Sequence, residues 1–174
     1  MSLRFRFLLF AAVLTGCLSA FVGGPARAQA PSAAPARFGD WALDCRAAEA
    51  GRPRQCRLFQ NVVQNPGFTQ LVNISIARAG PDAPYVASVT VPLGILLQPG
   101  LFVLVDQQKL VQFPLYRCNV NGCLGTFPVT DRILQAFGSG TSSGVVFRQP
   151  NGKYAHIRFS LKGFAAGFEA LKTM

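Results

Sequence analysis

The residues of this sequence that could do several kinds of chemistry are four cysteines, Cys45, Cys56, Cys118 and Cys123. Such residues could bind zinc, exchange thiols with a partner, or form structural disulfides. The first pair is too widely spaced for a zinc knuckle, the single His156 is distant, and neither pair has the C-x-x-C spacing of a redox centre. We therefore expect disulfides. Of the three possible pairings, we favour the local one, Cys45–Cys56 with Cys118–Cys123.

The segment Gly140-Thr141-Ser142-Ser143-Gly144 matches G-x-S-x-G, the nucleophile-elbow string of serine hydrolases. That elbow requires a strand before the serine and a helix after it. Here a helical pattern precedes the segment and a strand pattern follows it. No Asp or Glu lies between Ser142 and His156, where the third member of such a triad would stand. We interpret the segment as a Gly/Ser loop.

The remaining titratable residues do not form a recognisable catalytic set. His156 lies on the polar face of a predicted strand with no acid nearby in sequence, which is typical of a half-exposed structural histidine. Asp40 and Asp44 could share a strand face, but we place Asp40 in the turn before Trp41 and Asp44 at an exposed strand end. No phosphate loop or dinucleotide fingerprint is present. The sequence therefore predicts a protein that is not an enzyme and has no metal or cofactor.

A basic cluster, Arg52, Arg54 and Arg57, lies between the first two cysteines. Such a cluster could be a solvated loop or a surface that binds anions. The expected anionic partner is lipopolysaccharide, anionic lipid or an acidic protein surface. Nucleic acid is not expected, because no nucleic-acid-binding motif appears.

The N-terminal residues predict export. Arg4 and Arg6 precede an apolar run over 7–22, and Ala26-Arg27-Ala28 offers small residues for signal peptidase. The run is short for a membrane span. We predict a signal peptide over 1–28, so that the processed chain is not transmembrane and is periplasmic or secreted.

A second interpretation of the same run remains open. Leu14-Thr15-Gly16-Cys17 resembles a lipobox, which would make Cys17 a lipidated N-terminus. The apolar run continues past Cys17, whereas a lipoprotein tether is usually polar there. Either form of processing exports the chain.

Export changes the charge and the size of the protein. Removal of Arg4, Arg6 and Arg27 leaves 17 − 3 = 14 basic residues against 7 acidic ones, a net charge of +7. Residues 29–37 are rich in Pro, Ala and Ser and predict a linker. Residues 38–174 are enough for one domain with its own core.

Most of this domain follows the period-two pattern of strands. In 71–78 and 85–91 apolar residues alternate with small or polar ones, whereas 101–105 is continuously apolar and predicts a strand buried on both faces. In 109–116 the alternation continues to Pro114, which cannot donate to a sheet and predicts an edge or a bulge.

Asn151-Gly152 between two strand patterns predicts a hairpin. Two short helices are also predicted. Residues 130–138 begin with Thr130 or Asp131 as N-cap and end at Gly138, and 162–172 place Phe164, Phe168 and Leu171 on one face. Many short strands and little helix predict an all-β sandwich or partly open barrel, stapled by disulfides.

Several segments, in this order, resemble the invasion-associated locus B family over residues 38 to 172. They are "FGDWALDC", "RLFQNVVQ" after the second cysteine, "VTVPLGILLQPGLFVLVD", the pair Cys118/Cys123 and "RFSLKGFAAGFEAL". The most specific pieces are Pro92-Leu93-Gly94 with Pro99-Gly100, and the segment 160–164.

This resemblance implies a small exported β-rich protein of Gram-negative bacteria, from a family whose founding members are associated with host-cell entry. It implies a non-enzymatic protein, supplies no catalytic residue, and carries the four cysteines over as disulfides. The function expected is binding of an anionic envelope or host-surface component. The alternatives are an envelope hydrolase with an unrecognised site, which a cleft holding His156 beside a carboxylate would favour, and a lipid-anchored structural protein, which an acylated Cys17 would favour.

Overall fold

A computed structural model describes residues 34–48, 53–63 and 72–174. The predicted signal peptide lies outside these residues, as does most of the linker. The elements in chain order are β1 Ala36–Phe38, β2 Trp41–Arg46, β3 Gln55–Val62, β4 Val72–Ala77, β5 Val86–Val91, β6 Leu101–Val105, β7 Gln108–Phe113, β8 Leu115–Asn119, β9 Gly122–Pro128, α1 Asp131–Ser139, β10 Ser143–Arg148, β11 Tyr154–Phe159 and α2 Phe164–Lys172. The first strand begins two residues before the predicted domain boundary at 38.

The strands form two antiparallel sheets that enclose one core. One has seven strands in the order β1-β2-β3-β4-β5-β9-β8, and the other has four in the order β11-β10-β6-β7. Buried residues of both sheets and both helices belong to a single apolar cluster. The predicted β-sandwich with two short helices is therefore confirmed.

The alternation seen in the sequence matches the burial of two central strands. Every second residue of β4 from Val72 and every second residue of β5 from Ala87 is buried. The prediction for 101–105 is wrong in part. Leu101, Val103 and Val105 are buried, but Phe102 and Leu104 are only half-buried. A long apolar run cannot distinguish a strand covered on both faces from one whose outer face carries apolar residues.

Pro114 marks the point where the chain leaves one sheet for the other. It separates β7, an edge strand of the four-stranded sheet, from β8, an edge strand of the seven-stranded sheet. The prediction of an edge position is confirmed, since a proline there removes no inner ladder bond. The predicted hairpin around Asn151-Gly152 also forms, with Arg148 opposite Tyr154.

Both helices form, with one difference in α1. Thr130 caps its N-terminus by accepting a hydrogen bond from the backbone N–H of Ile133, but the C-cap is Gly140 and not Gly138. In α2 the predicted face is buried. Gly167, which lowers helix propensity, is explained by packing, because a Cβ there would lie 2.6 Å from Leu58 Cδ1.

The two local disulfides are confirmed. Cys45 is the register partner of Cys56 on β2 and β3, and Cys118 is the register partner of Cys123 on β8 and β9. The Cα–Cα distance is 4.0 Å in both. Each bridge therefore joins directly opposed residues of a hairpin.

The start and the end of the domain are joined by a buried polar network. Gln60, which is 6% exposed, donates to the backbone carbonyls of Asp40 (3.1 Å) and Ser160 (3.3 Å) and accepts from the Ser160 N–H (2.7 Å). The indole of Trp41 also donates to the Ser160 carbonyl, at 2.9 Å. We call residues 38–41 together with 160–164 the junction.

Candidate anion-binding pocket

A pocket of about 490 Å³ lies on the outer face of the seven-stranded sheet. Outward-facing residues of β2, β3, β4 and β5 form it together with the segment 78–84. Its apolar lining comes from small residues, Ala77, Ala79, Ala83, Pro84 and Val86. Its described charged residues are Asp44, Arg46, Arg57 and Arg78. Three guanidinium groups thus share one pocket with one carboxylate.

Arg57 is held in place by its neighbours on the sheet. Strand register places it directly opposite Asp44, and its Nη2 lies 3.6 Å from Asp44 Oδ2. Its guanidinium also lies over the Phe59 ring, 4.7 Å from the centroid. The side chain is 44% exposed, so the ion pair orients the guanidinium more than it stabilises the fold.

Arg78 is fixed at the end of β4. Its guanidinium carbon lies 5.3 Å from the centroid of the Tyr85 ring, and Nη1 donates to the Pro81 carbonyl at 2.8 Å. One N–H is used in that bond, and an arginine has five. The segment 78–84 therefore presents a positioned guanidinium with donors to spare.

The structure describes two of the three arginines of the predicted cluster and places them in neighbouring pockets. Arg57 lines the pocket, and Arg54 lines a smaller pocket of about 50 Å³ beside it, together with Arg78 and Cys56. Arg52 lies outside the described residues. Sequence reasoning missed Arg46 and Arg78. Strand pairing would have found them, because Arg46 lies opposite Gln55 and Ala77, which precedes Arg78, lies opposite Arg57.

The Gly/Ser segment 140–144 has a structural role, and it is a loop only in part, because Ser143 and Gly144 belong to β10. The carboxylate of Asp106, in the β6–β7 turn, accepts from the backbone N–H groups of Thr141 (3.0 Å) and Ser142 (2.8 Å). The Thr141 hydroxyl donates to the same oxygen at 2.7 Å. This hydroxyl and the N–H groups of Ser142 and Thr141 hold the pKa of the Asp106 carboxyl below its usual value of 3.8.

His156 belongs to β11. It is exposed on the outer face of the four-stranded sheet, between the side chains of Tyr154 and Arg158 along β11. Its ring lies over Gly144, where a Cβ would collide with it. Ser142 Oγ is 3.3 Å from Asp106 Oδ1, so the hydroxyl contacts a carboxylate directly without an intervening imidazole. Among the described residues, His156 forms no ion pair with a carboxylate.

Nowhere in the described part of the chain do three His, Cys, Asp or Glu residues come together closely enough to hold a metal ion. The same residues include no helix with the length and apolar character of a membrane span. The two disulfides indicate an extracytoplasmic protein, because such bonds persist in oxidising compartments.

Comparison with known proteins agrees with this architecture. The family model of the invasion associated locus B (IalB) protein matches residues 41–172. The crystal structure of invasion associated protein B from Bartonella henselae is similar with a TM-score of 0.69 and 19% identity, over 80% of this chain and 96% of that one. No curated protein matches the chain in sequence. By its family model, over most of its length, the chain belongs to the invasion associated locus B family.

Proposed function

We propose that this protein is an exported, non-enzymatic binding protein whose pocket receives the anionic group of an envelope or host-surface component. The observation that carries this proposal is the pocket on the outer face of the seven-stranded sheet. Arg46, Arg57 and Arg78 surround it against the single carboxylate of Asp44.

The geometry favours a carboxylate or phosphate that is attached to a short apolar group. Guanidinium groups bind such oxyanions through paired hydrogen bonds. Arg57 and Arg78 are already oriented by Phe59 and Tyr85, which lowers the entropy lost on binding. The small apolar residues of the lining leave room for aliphatic carbon.

The test uses a monomeric probe, so that the pocket is measured without a bilayer. Dihexanoyl phosphatidylglycerol is titrated below its micelle concentration, with dihexanoyl phosphatidylcholine as the neutral comparison. We expect preference for the anionic lipid, and affinity about tenfold weaker or more in Arg46→Gln/Arg78→Gln. Arg117→Gln/Arg132→Gln, which removes the same charge elsewhere, should bind as the parent. Equal affinity of the pocket variant and the parent would rule out this site.

We further propose that export ends in the periplasm or outside the cell, after cleavage behind Ala28. The motif Ala26-Arg27-Ala28 supports this, and it lies outside the described residues. The intact mass of the native protein should correspond to a chain that begins at Gln29 and lacks four hydrogens for its two disulfides. An acyl-modified Cys17 would support the lipid-anchored alternative instead.

A further inference from the structure

The outer face of the four-stranded sheet is basic. Its strands contain Lys109, Arg148 and Arg158, and no Asp or Glu occurs in any of the four. The nearest acid along the chain, Asp106, is occupied by Thr141 and Ser142. This face lies on the other side of the sandwich from the arginine-lined pocket.

Apolar side chains fill the middle of this face. Register pairs Val146 with Phe102 on one side and with His156 on the other, and pairs Gly144 with Leu104 and Arg158. The Phe102 and Tyr154 rings meet edge to face at 6.2 Å, and Lys109 Nζ lies 5.3 Å from the Phe102 centroid. We call these residues the cationic face: Phe102, Leu104, Lys109, Val146, Arg148, Tyr154, His156 and Arg158.

A loop of exposed leucines adjoins the cationic face. Residues 92–100, which we call the leucine loop, connect β5 to β6, and Leu93, Leu96 and Leu97 are 54%, 36% and 53% exposed. The Leu96 N–H donates to the Arg148 carbonyl at 2.9 Å, which fixes the loop at the C-terminal end of β10. The Gly100 N–H donates to the Leu97 carbonyl at 2.9 Å and closes a turn.

The loop is therefore built so that its leucines face water. A flexible loop could turn such side chains inward, but this one is held by backbone hydrogen bonds at Leu96 and Gly100. Contiguous exposed apolar side chains beside a polar or charged rim are typical of an interaction surface.

The chemistry of the two parts together identifies the partner. An anionic bilayer is negative at its surface and apolar just beneath, so cations can contact phosphates while nearby leucines enter the acyl boundary. Nucleic acid fits less well, because bases stack on aromatic rings, whereas three of the four exposed large apolar side chains of this surface are leucines and one is Tyr154. The pairing of charge and aliphatic side chains favours lipid.

We propose that the cationic face and the leucine loop form a docking surface for an anionic phospholipid bilayer. The protein binds the membrane peripherally, with Leu93 and Leu97 below the headgroups and Lys109 and Arg158 at the phosphates. This surface does not include the pocket, so the two activities can be separated by mutation.

Vesicle sedimentation tests the proposal with protein exported and processed from a precursor that carries Cys17→Ser, which excludes acylation. Vesicles of phosphatidylglycerol with phosphatidylcholine are compared with phosphatidylcholine alone. We expect binding to the anionic vesicles only, weakened about tenfold or more by Lys109→Gln/Arg158→Gln and by Leu93→Ser/Leu97→Ser. Each variant is first shown to melt at the temperature of the parent, since all four side chains are on the surface.

Two matched controls distinguish binding by this face from effects of net charge and of exposed apolar side chains elsewhere. Arg117→Gln/Lys172→Gln removes the same charge on β8 and α2, and Val120→Ser removes an apolar group that is 92% exposed on the β8–β9 turn. Both should bind vesicles as the parent does. Equal weakening in the charge control, or parental binding by the leucine variant, would overturn the proposal, as would binding to an oligonucleotide without binding to vesicles.

A fluorescent probe reports insertion directly. An environment-sensitive fluorophore on Leu97→Cys should shift to the blue on anionic vesicles, whereas the same fluorophore on Val120→Cys should not. Absence of a shift at Leu97 would contradict insertion of the loop. The pocket variant Arg46→Gln/Arg78→Gln should sediment with vesicles like the parent. The vesicle result can therefore be interpreted even if the pocket does not bind an anion.

Discussion

The junction and the leucine loop carry the two most specific segments of the family resemblance, yet their environments are opposite. In the junction, Trp41 and Phe164 are almost fully buried and meet at 5.2 Å between ring centroids. In the leucine loop, Leu93 and Leu97 are more than half exposed. The junction therefore stabilises the fold by burying apolar side chains. The leucine loop keeps apolar side chains in water, which is unfavourable for the free energy of folding.

Glycine is required differently in the two regions. In the junction, Gly39 (φ +56°) and Gly163 (φ +87°) let two backbones approach, and the Asp40 N–H donates to the Lys162 carbonyl at 3.1 Å. In the leucine loop, Gly94 has a similar φ of +79°, but nothing lies near the position of its missing Cβ. The same residue type therefore serves close packing in one region and conformation alone in the other.

The largest effect is expected from Gly163→Ala. The φ of this residue is unfavourable for any side chain, and a Cβ would collide with the Phe38 carbonyl oxygen. The backbone at Gly163 and the backbone at Phe38 must therefore move apart. We expect the free energy of unfolding to fall by about 3 kcal/mol or more and the melting temperature by about 10 °C. Thermal unfolding monitored by circular dichroism measures this.

Gly94→Ala is the matched control, because it has the same backbone strain without the collision. It should lower the free energy of unfolding by about 1 kcal/mol. If the two variants melt at the same temperature, close approach in the junction contributes nothing measurable, and the contrast between the regions is lost.

An intermediate effect is expected from Gln60→Leu. Leucine nearly preserves the volume but leaves the Ser160 N–H without its acceptor and the Asp40 carbonyl without its donor. Buried polar groups without partners are costly, so we expect a loss of about 2 kcal/mol in chemical denaturation. Gln108→Leu, at an exposed position of β7, should change stability by less than about 0.5 kcal/mol. Similar losses in both variants would argue against a special role for the junction network.

The smallest effect on stability is expected at Asp106, whose hydrogen bonds are exposed, whereas those of Gln60 in the junction are buried. Its pKa is lowered in the folded protein, so its stabilising contribution is complete above the usual value of 3.8 and is lost as the pH falls through the lowered value. Asp106→Asn keeps a residue that tolerates the positive φ of 49° at this turn but removes the charge.

The stability difference between parent and Asp106→Asn should therefore be constant at neutral pH and should shrink as the pH falls below 3.8. Urea unfolding across this range measures it. A difference that grows on acidification would contradict the direction of the pKa change.

The basic cluster of the sequence overlaps the proposed pocket only where the contacts are local. Arg57, next to Cys56 on the β2–β3 hairpin, lines the pocket. Arg46 and Arg78 were missed, since the pocket is made by four strands and a loop whose alignment is a matter of register. All arginine side chains have the same chemistry, so the sequence does not show which guanidinium groups lie close together in the fold.

The sequence by itself determined the elements whose partners are near in the chain. These are the two hairpin disulfides, the alternation of β4 and β5, the Asn151-Gly152 hairpin and the buried face of α2, because period, turn residues and short loops fix each of them locally. Only the tertiary structure decided which strands share a sheet and that the chain passes from one sheet to the other at Pro114. It also decided that Gln60 bonds to both Asp40 and Ser160. Those contacts join residues far apart in the chain, and the free energy that selects them comes from burying both sheets and both helices in one core, which no local pattern encodes.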